Sequence, residues 1–581
     1  MTDTAAQAEP QAGPAPLGEP AVVAGPGTES PRPSGLGRVL ARAAALTAAL
    51  TAAGSLLGLI RDQTIAHLFG AGPATDAFLV AWTVPELSST VLIEDGMALL
   101  LIPAFSLALA RRAAGRRPDP VRVLLATTLP RLLLALAAAM ALIELGAPAL
   151  VHIMAPGLTA PQLAVDCTRL TAATVLTFGL TGYFSAALRA HRRFIPPAAI
   201  YVAYNVGIIA TLLLLHARWG VRAAAAGVAM GGLLMVLVQL PSFLRQLPPR
   251  TSRGRHSARA VVPAAITPDA VTPHTVTPHA VSPAAISPVT EAAGPAPLRF
   301  ALLAPVIIFS LSRQTQVLIE RFFAASLPAG AISHLNYAQK VAQLPMVLSL
   351  MICTVTFPVV AQALAAGEPE KARRRVERDL TLAGIVVLLG TAFVIACAPQ
   401  IIELLFQRGV FDAADTAATA SVMRVYALGL LGQSLVGALV RPFFSAARPT
   451  WYPAAAMAVG LLITITAGAA TVGYWGIYGI AGANAAGITT TAVLLLRGLG
   501  AQPIAIRPRQ VAAGIGRLIV AAAAATAAGW ATASALPDPL LSTAVCCLVV
   551  PAAFTAAAAA VQVPEVPHLL ATVKRKLPHV R

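Results

Sequence analysis

Long apolar runs, each close to the ~20 residues that carry a helix across a bilayer, alternate with short polar connections along most of this chain. Six runs come first, near 39–60, 76–106, 121–147, 165–189, 196–216 and 221–243. A long polar break follows. Six more lie near 299–323, 334–362, 379–397, 415–443, 452–472 and 475–496, and the last two near 511–531 and 540–562. The pattern predicts an all-α polytopic membrane protein of about 14 transmembrane helices. So many runs in series exclude a single buried soluble core.

Composition agrees: 57% of the 581 residues are hydrophobic and 11% charged, against roughly 25% charged in soluble domains. The mean hydropathy is +0.74. A net charge of +18 raises the question of nucleic acid. The basic residues, however, collect in alternate connections. They include Arg111, Arg112, Arg116 and Arg117 after the second run, and Lys371, Arg373, Arg374, Arg375 and Arg378 after the eighth. Connections after the third, eleventh and thirteenth runs are nearly free of Lys and Arg. Short basic loops stay in the cytoplasm. The charge therefore reports topology, with both termini cytoplasmic, and no nucleic-acid partner is expected.

Residues 1–36 are rich in Pro, Gly and Ala and read as a disordered cytoplasmic tail. Residues 246–297 carry a loose five-residue repeat, from Ile266-Thr267-Pro268 to Ile286-Ser287-Pro288. Proline at that spacing forbids a regular helix and predicts a cytoplasmic spacer. Residues 563–581 form a basic cytoplasmic tail. The cysteines Cys167, Cys353, Cys397, Cys546 and Cys547 lie in apolar stretches without metal-ligand spacing and read as small buried residues. His67, His152 and His334 each stand at the predicted outer edge of a run and read as lone interfacial histidines. No nucleophile motif, metal-spaced histidine pair or phosphate-cradling loop appears. The expectation is a transporter, not an enzyme, with no metal and no cofactor.

An internal repeat organises the runs. Phe184-Ser185-Ala186-Ala187 with Pro197-Ala198-Ala199 recurs as Phe444-Ser445-Ala446-Ala447 with Pro453-Ala454-Ala455. Pro85 matches Pro345 at nearly the same offset, and Gly72 matches Gly330. This predicts two pseudo-symmetric six-helix lobes, 37–245 and 298–500, in parallel orientation, followed by helices 13 and 14 within 510–562. Two such lobes usually enclose a cavity that opens alternately to either side. A duplicated scaffold without transport is the bland alternative.

Ionisable residues inside membrane spans are costly and mark pathways. Arg61 and Asp62 end the first run and Asp76 opens the second, positions where an interfacial place and a cavity place are equally open. Glu86, Glu94 and Asp95 lie within the second run, just beyond Pro85. Arg313, Glu320 and Arg321 lie in the seventh, and Lys340 in the eighth. Arg313 and Glu320 are seven residues apart and share a helical face, which should look at a polar cavity or the other lobe. For Glu94, Asp95 and Lys340 a cavity is favoured.

Several motifs resemble the MurJ (MviN) family. They are Gly58-Leu59-Ile60-Arg61-Asp62, Phe69-Gly70-Ala71-Gly72, Ala74-Thr75-Asp76-Ala77-Phe78 and Met154-Ala155-Pro156-Gly157 in the first half. Leu335-Asn336-Tyr337-Ala338-Gln339-Lys340, Phe357-Pro358 and Leu405-Phe406-Gln407-Arg408-Gly409 follow in the second. The resemblance runs from about Gly54 to Arg497. It implies a fourteen-helix member of the multidrug/oligosaccharidyl-lipid/polysaccharide exporter superfamily. It implies a flippase for lipid II, the undecaprenyl-pyrophosphate-linked peptidoglycan precursor, driven by membrane potential or a monovalent cation and working beside cell-wall synthesis proteins. Arg61, Lys340, Arg313 and Arg321 would then meet the cargo. Asp62, Asp76, Glu86, Glu94, Asp95 and Glu320 would gate or couple. The chain departs from the family where arginines are usual: Ser55, Ser89 and Thr90 stand there, and Lys340 replaces an arginine. A related exporter of another lipid-linked saccharide, a drug/cation antiporter and a non-transporting cell-wall scaffold remain the alternative readings.

Overall fold

The computed structural model describes residues 35–94, 96–247, 300–349, 368–445, 450–499 and 506–563. Most of the predicted 246–297 spacer, most of both tails, and Asp95, Cys353 and Phe357-Pro358 lie outside them. By internal packing the chain divides at Leu46: Thr47–Arg581 is one compact unit, and of Met1–Leu46 only the first turns of α1 are described.

In the first half, α1 spans Gly35–Phe69, α2 Pro73–Ala81, α3 Thr83–Ser89, α4 Gly96–Ala113, α5 Pro120–Met154, α6 Pro161–Ala190, α7 Ile195–Trp219 and α8 Arg222–Leu244. The second half begins with α9, Phe300–Ala324, and α10, Ala331–Ala342. Helices Pro369–Ala396, Ala398–Phe406, Ala413–Ala427, Leu430–Ser445, Tyr452–Leu499, Pro508–Ala535 and Pro539–Ala560 follow. Every predicted run overlies one or more of these helices. Among the described residues nine helices are long and apolar enough to span a bilayer, or ten when the bent pair Ala413–Ala427 and Leu430–Val440 is one span. The eleventh and twelfth predicted runs fall in one helix, Tyr452–Leu499, interrupted at Gly476 with φ 53°.

Local chemistry sets the ends. Proline opens α2, α5 and α6, where a missing N–H costs nothing. Asp119, Asp412 and Asp538 accept N–H bonds at the starts of their helices. Proline also explains why the second run is not one helix. Pro85 has no N–H to give the Ala81 carbonyl, and α2 stops there. The freed carbonyl accepts from the Thr171 hydroxyl of α6 at 3.3 Å, which the same hydroxyl shares with Thr168 O. A π-helical turn, Thr90–Glu94, then joins α3 to the residues before α4. It packs on Gly182 of α6, where any Cβ would collide with the Leu92 carbonyl. The matching break in the second half falls at Gln343, two residues before Pro345.

Cys167, Cys397 and Cys546 are buried as expected, but Cys547 is exposed, because it points away from the packed face of its helix.

Candidate functional site

Three polar clusters join the two halves of the chain. The first ties α2 to α10. Gly330, at φ 95°, turns the chain into α10 and leaves the N–H groups of its first turn without helical partners. Asp76 supplies them from α2: Oδ2 accepts from the Gly330 N–H at 2.6 Å, and Oδ1 accepts from the Ser333 N–H at 2.8 Å and from the Ser333 hydroxyl. A carboxylate here also answers the positive end of the α10 dipole. The exchange is reciprocal, for the Ala71 N–H, just ahead of α2, donates to Asp415 Oδ2 at 3.3 Å. The Val410 N–H donates to the His67 carbonyl at 3.0 Å. His334 is not the lone interfacial group the sequence suggested. Its Nδ1 is 2.9 Å from the Thr419 hydroxyl and its Nε2 3.8 Å from Asp415.

The second cluster joins α1 to α10 around one carboxylate. Asp62 Oδ1 is 2.8 Å from Arg61 Nη2, and Asp62 Oδ2 is 3.0 Å from Lys340 Nζ. Arg61 also donates to Asn205 Oδ1 at 3.1 Å, and its guanidinium stands 4.5 Å from the centre of the Trp82 ring. Asn205 in turn donates to the Gly54 carbonyl at 3.1 Å. Arg61 and Asp62 are 8% and 6% exposed. They stand off the cavity wall, because this network closes over them.

The third cluster hangs on α9. Arg321 is 2.9 Å from Glu86 and also donates to the Thr83 hydroxyl, both on α3. Its neighbour Glu320 turns the other way, into the second half, and accepts from the Tyr426 hydroxyl. Asn484 donates to that hydroxyl at 3.1 Å and accepts from Gln316 at 2.7 Å. Glu320 Oε1 is buried with no hydrogen-bond partner among the described residues.

Between these clusters lies a cavity of about 410 Å³. Among the described residues its charged lining is Glu86, Glu94, Arg313 and Lys340. Glu94 accepts from the Tyr201 hydroxyl at 2.9 Å. Seven further lining side chains are carboxamides, on α9, α10, Leu430–Ser445 and Tyr452–Leu499. Of the four cations proposed to meet a cargo, Arg313 and Lys340 line the cavity. Arg321 borders a small adjoining pocket beside Glu320, and Arg61 is withdrawn. Of the acidic set, Glu86 and Glu94 line the cavity, Asp62 lies behind Lys340, Asp76 is in the α2–α10 junction, and Asp95 is outside the described residues. Gln314 and Gln316 stand beside the Arg313 face that the sequence points toward a cavity, whereas nothing in the sequence marks Trp82, Tyr201, Asn205 or the other amides as site residues. Among the described residues no group of three or more His, Cys, Asp or Glu could hold a metal ion.

Comparison with known proteins gives this geometry its context. A family model described as lipid II flippase MurJ matches residues 65–545. The chain is 26% identical over 414 residues to the lipid II flippase MurJ of Burkholderia cenocepacia, covering 70% of this chain and 73% of that one. It is 27% identical over 511 residues to a protein named probable lipid II flippase MurJ of Rhizobium meliloti, covering 84% and 86%. Among solved structures, a lipid II flippase MurJ in an inward closed conformation superposes with a TM-score of 0.67 at 17% identity, over 88% of this chain and 97% of that one. An inward-facing multidrug transporter of the MATE family gives 0.56 at 16% identity, over 80% and 95%. These two likenesses are likenesses of fold.

Proposed function

Because the chain belongs to the lipid II flippase MurJ family, we propose that it moves lipid II from the inner to the outer leaflet of the cytoplasmic membrane. The headgroup cannot cross hydrocarbon unaided, and a polar cavity between two halves lowers that barrier while the polyprenyl tail stays in lipid. The halves 37–245 and 298–500 rock about the cavity, helices 13 and 14 flank them, and both termini are cytoplasmic.

The observation that carries this reading is the Asp62–Lys340 pair beside the cavity. Lys340 lines the cavity, yet its ammonium is held by a carboxylate of the other half. A pyrophosphate entering the cavity competes with Asp62 for Lys340 and meets Arg313 as well. Binding then loosens a tie between the halves, which is how a cargo drives its own translocation. The α2–α10 junction, held by Asp76, is the contact proposed to close one end. Glu320, buried against Tyr426, is the group proposed to take up a proton or a monovalent cation, with membrane potential as the other energy source.

Rescue of a strain depleted of its own lipid II flippase, with lipid II surface exposure as the readout, tests the proposal. Rescue that is lost on Lys340→Met or Arg313→Ala supports it. Failure of a well-expressed, membrane-inserted chain overturns it and turns attention to another lipid-linked saccharide. The serines and threonine at 55, 89 and 90 favour that second reading.

A further inference from the structure

We propose that the cavity selects its cargo chiefly by the uncharged, hydrogen-bonding saccharide portion of the headgroup, through a stripe of carboxamides along α10 and the residue that caps its end: Asn336, Gln339 and Gln343. The inference rests on the reading of a lipid-linked cargo and adds which part of that cargo is read.

Charge is the first argument. Among the described residues two cations and two carboxylates face the cavity, so that part of its lining is neutral overall. Lys340 is already matched by Asp62 at 3.0 Å, and Glu86 by Arg321 at 2.9 Å. Glu94, which accepts from Tyr201, adds repulsion toward any anion. A site that bound mainly by phosphate charge would need an excess of cations, preferably forked guanidinium groups.

The amides give the second argument. Residues 336, 339 and 343 follow the i, i+3, i+7 spacing and so share one helical face. That face lines the cavity at all three positions. Asn336 is 9% exposed, and its Oδ1 is buried with no hydrogen-bond partner among the described residues. The Gln339 side chain lines the cavity with no hydrogen-bond partner among the described residues, its backbone carbonyl alone accepting from the Gln343 N–H. Gln343 reaches Gln433 across the cavity at 3.4 Å, a long contact that a ligand can replace. A carboxamide donates and accepts at once, as does a sugar hydroxyl or an N-acetyl group, whereas an ammonium only donates. Leaving a buried amide oxygen unpaired is costly, so a ligand that satisfies it is favoured over one that does not. The remaining amides are committed elsewhere: Gln316 to Asn484 at 2.7 Å and Gln314 to Thr90. The volume of about 410 Å³ falls within the roughly 300–1,000 Å³ of small-ligand sites, fit for a saccharide and not for a polyprenyl tail.

The test uses the full chain in lipid nanodiscs and two probes: undecaprenyl pyrophosphate bare, and the same lipid bearing an N-acetylated disaccharide. Dissociation constants are measured by thermophoresis. The disaccharide form is expected to bind about tenfold or more tighter than the bare lipid. Gln339→Ala and Gln343→Ala should each weaken it by about three- to tenfold while leaving the bare form unchanged. Lys340→Met should weaken both forms alike. Variants are compared only where the thermal midpoint matches the parent protein; should an alanine variant fail that control, Gln339→Met or Gln343→Met, which keeps the length of the side chain and adds no charge while removing its donor and acceptor, takes its place with the same expected selectivity. Equal affinity for the two lipids, or equal loss for both on removing the amides, overturns the amide-stripe proposal and leaves the flippase reading standing. Binding of neither lipid by the folded protein overturns both.

Discussion

Lys340 of α10 and Asp62 of α1 meet at 3.0 Å, and the same carboxylate also holds Arg61 at 2.8 Å. One anion thus serves two cations, and the consequences of removing each partner differ. Without Asp62, Arg61 and Lys340 face each other with only Asn205 and the Trp82 ring for relief. Without Lys340, Asp62 still has Arg61. Breaking a buried pair so that a charge is left uncompensated costs about 3–5 kcal/mol. Asp62→Asn is therefore expected to lower the thermal midpoint far more than Lys340→Met. The double variant should be more stable than Asp62→Asn alone. Equal losses in the two single variants would show that the shared carboxylate does not organise the site.

The Asp76 junction makes a prediction about access. Asp76→Ala strips the first turn of α10 of its acceptors at Gly330 and Ser333. Gly330→Ala attacks the same place differently, for its Cβ would stand 2.8 Å from the Ala71 carbonyl at a backbone φ of +95°. Both changes should loosen the contact between α2 and α10. Ala325, 3% exposed, packs near Gly157 at this end. A cysteine placed at Ala325 is expected to react several-fold faster with a hydrophilic maleimide in either background. Unchanged labelling would mean the junction is held by something other than this cap.

How much of this could be read from the sequence follows from the range of each interaction. The helices were legible because hydropathy is a local property, and Pro85 and Pro345 located the breaks because a missing N–H is local too. The Gly72–Gly330 correspondence was legible as an offset, and both glycines do stand at helix starts. The clusters were not legible in the same way. Asp76 and Gly330 are 254 residues apart, and no periodicity links an acid on one helix to the first turn of another. Arg61 and Asp62 stood out as charges, but only the packing of Asn205 and Trp82 shows that they face each other and not a cavity. Asn336, Gln339 and Gln343 had the spacing of a polar face. Charge drew attention away from them, because an amide inside a span is a weaker signal than an ion.

Glu320 offers a test of energy coupling. Its Oε2 accepts from Tyr426, its Oε1 has no partner among the described residues, and the Tyr426–Asn484–Gln316 chain leads from it to the cavity. Glu320→Gln keeps the shape and removes the ionisable group. Flipping by the reconstituted variant is expected to lose its response to an imposed proton or sodium gradient while the thermal midpoint moves little. A gradient response equal to that of the parent protein would assign coupling to another group.

The Pro85 break can be tested through the carbonyl it frees. Ala81 O has lost its helical donor and relies on the Thr171 hydroxyl at 3.3 Å. Thr171→Val removes that donor at a fully buried position, at an expected cost of about 1 kcal/mol. Pro85→Ala restores an N–H four residues after Ala81, so α2 and α3 can run on as one helix. In that background the carbonyl has a backbone donor again, and Thr171→Val should cost measurably less. The two changes therefore couple in a double-mutant cycle of thermal stabilities. Pro85→Ala alone should depress transport, because the break aims Thr83 and Glu86 of α3 at Arg321. Strict additivity of the two changes would mean that Thr171 does not stand in for the donor that proline lacks. Full transport by Pro85→Ala would mean that the broken helix is not what positions Glu86.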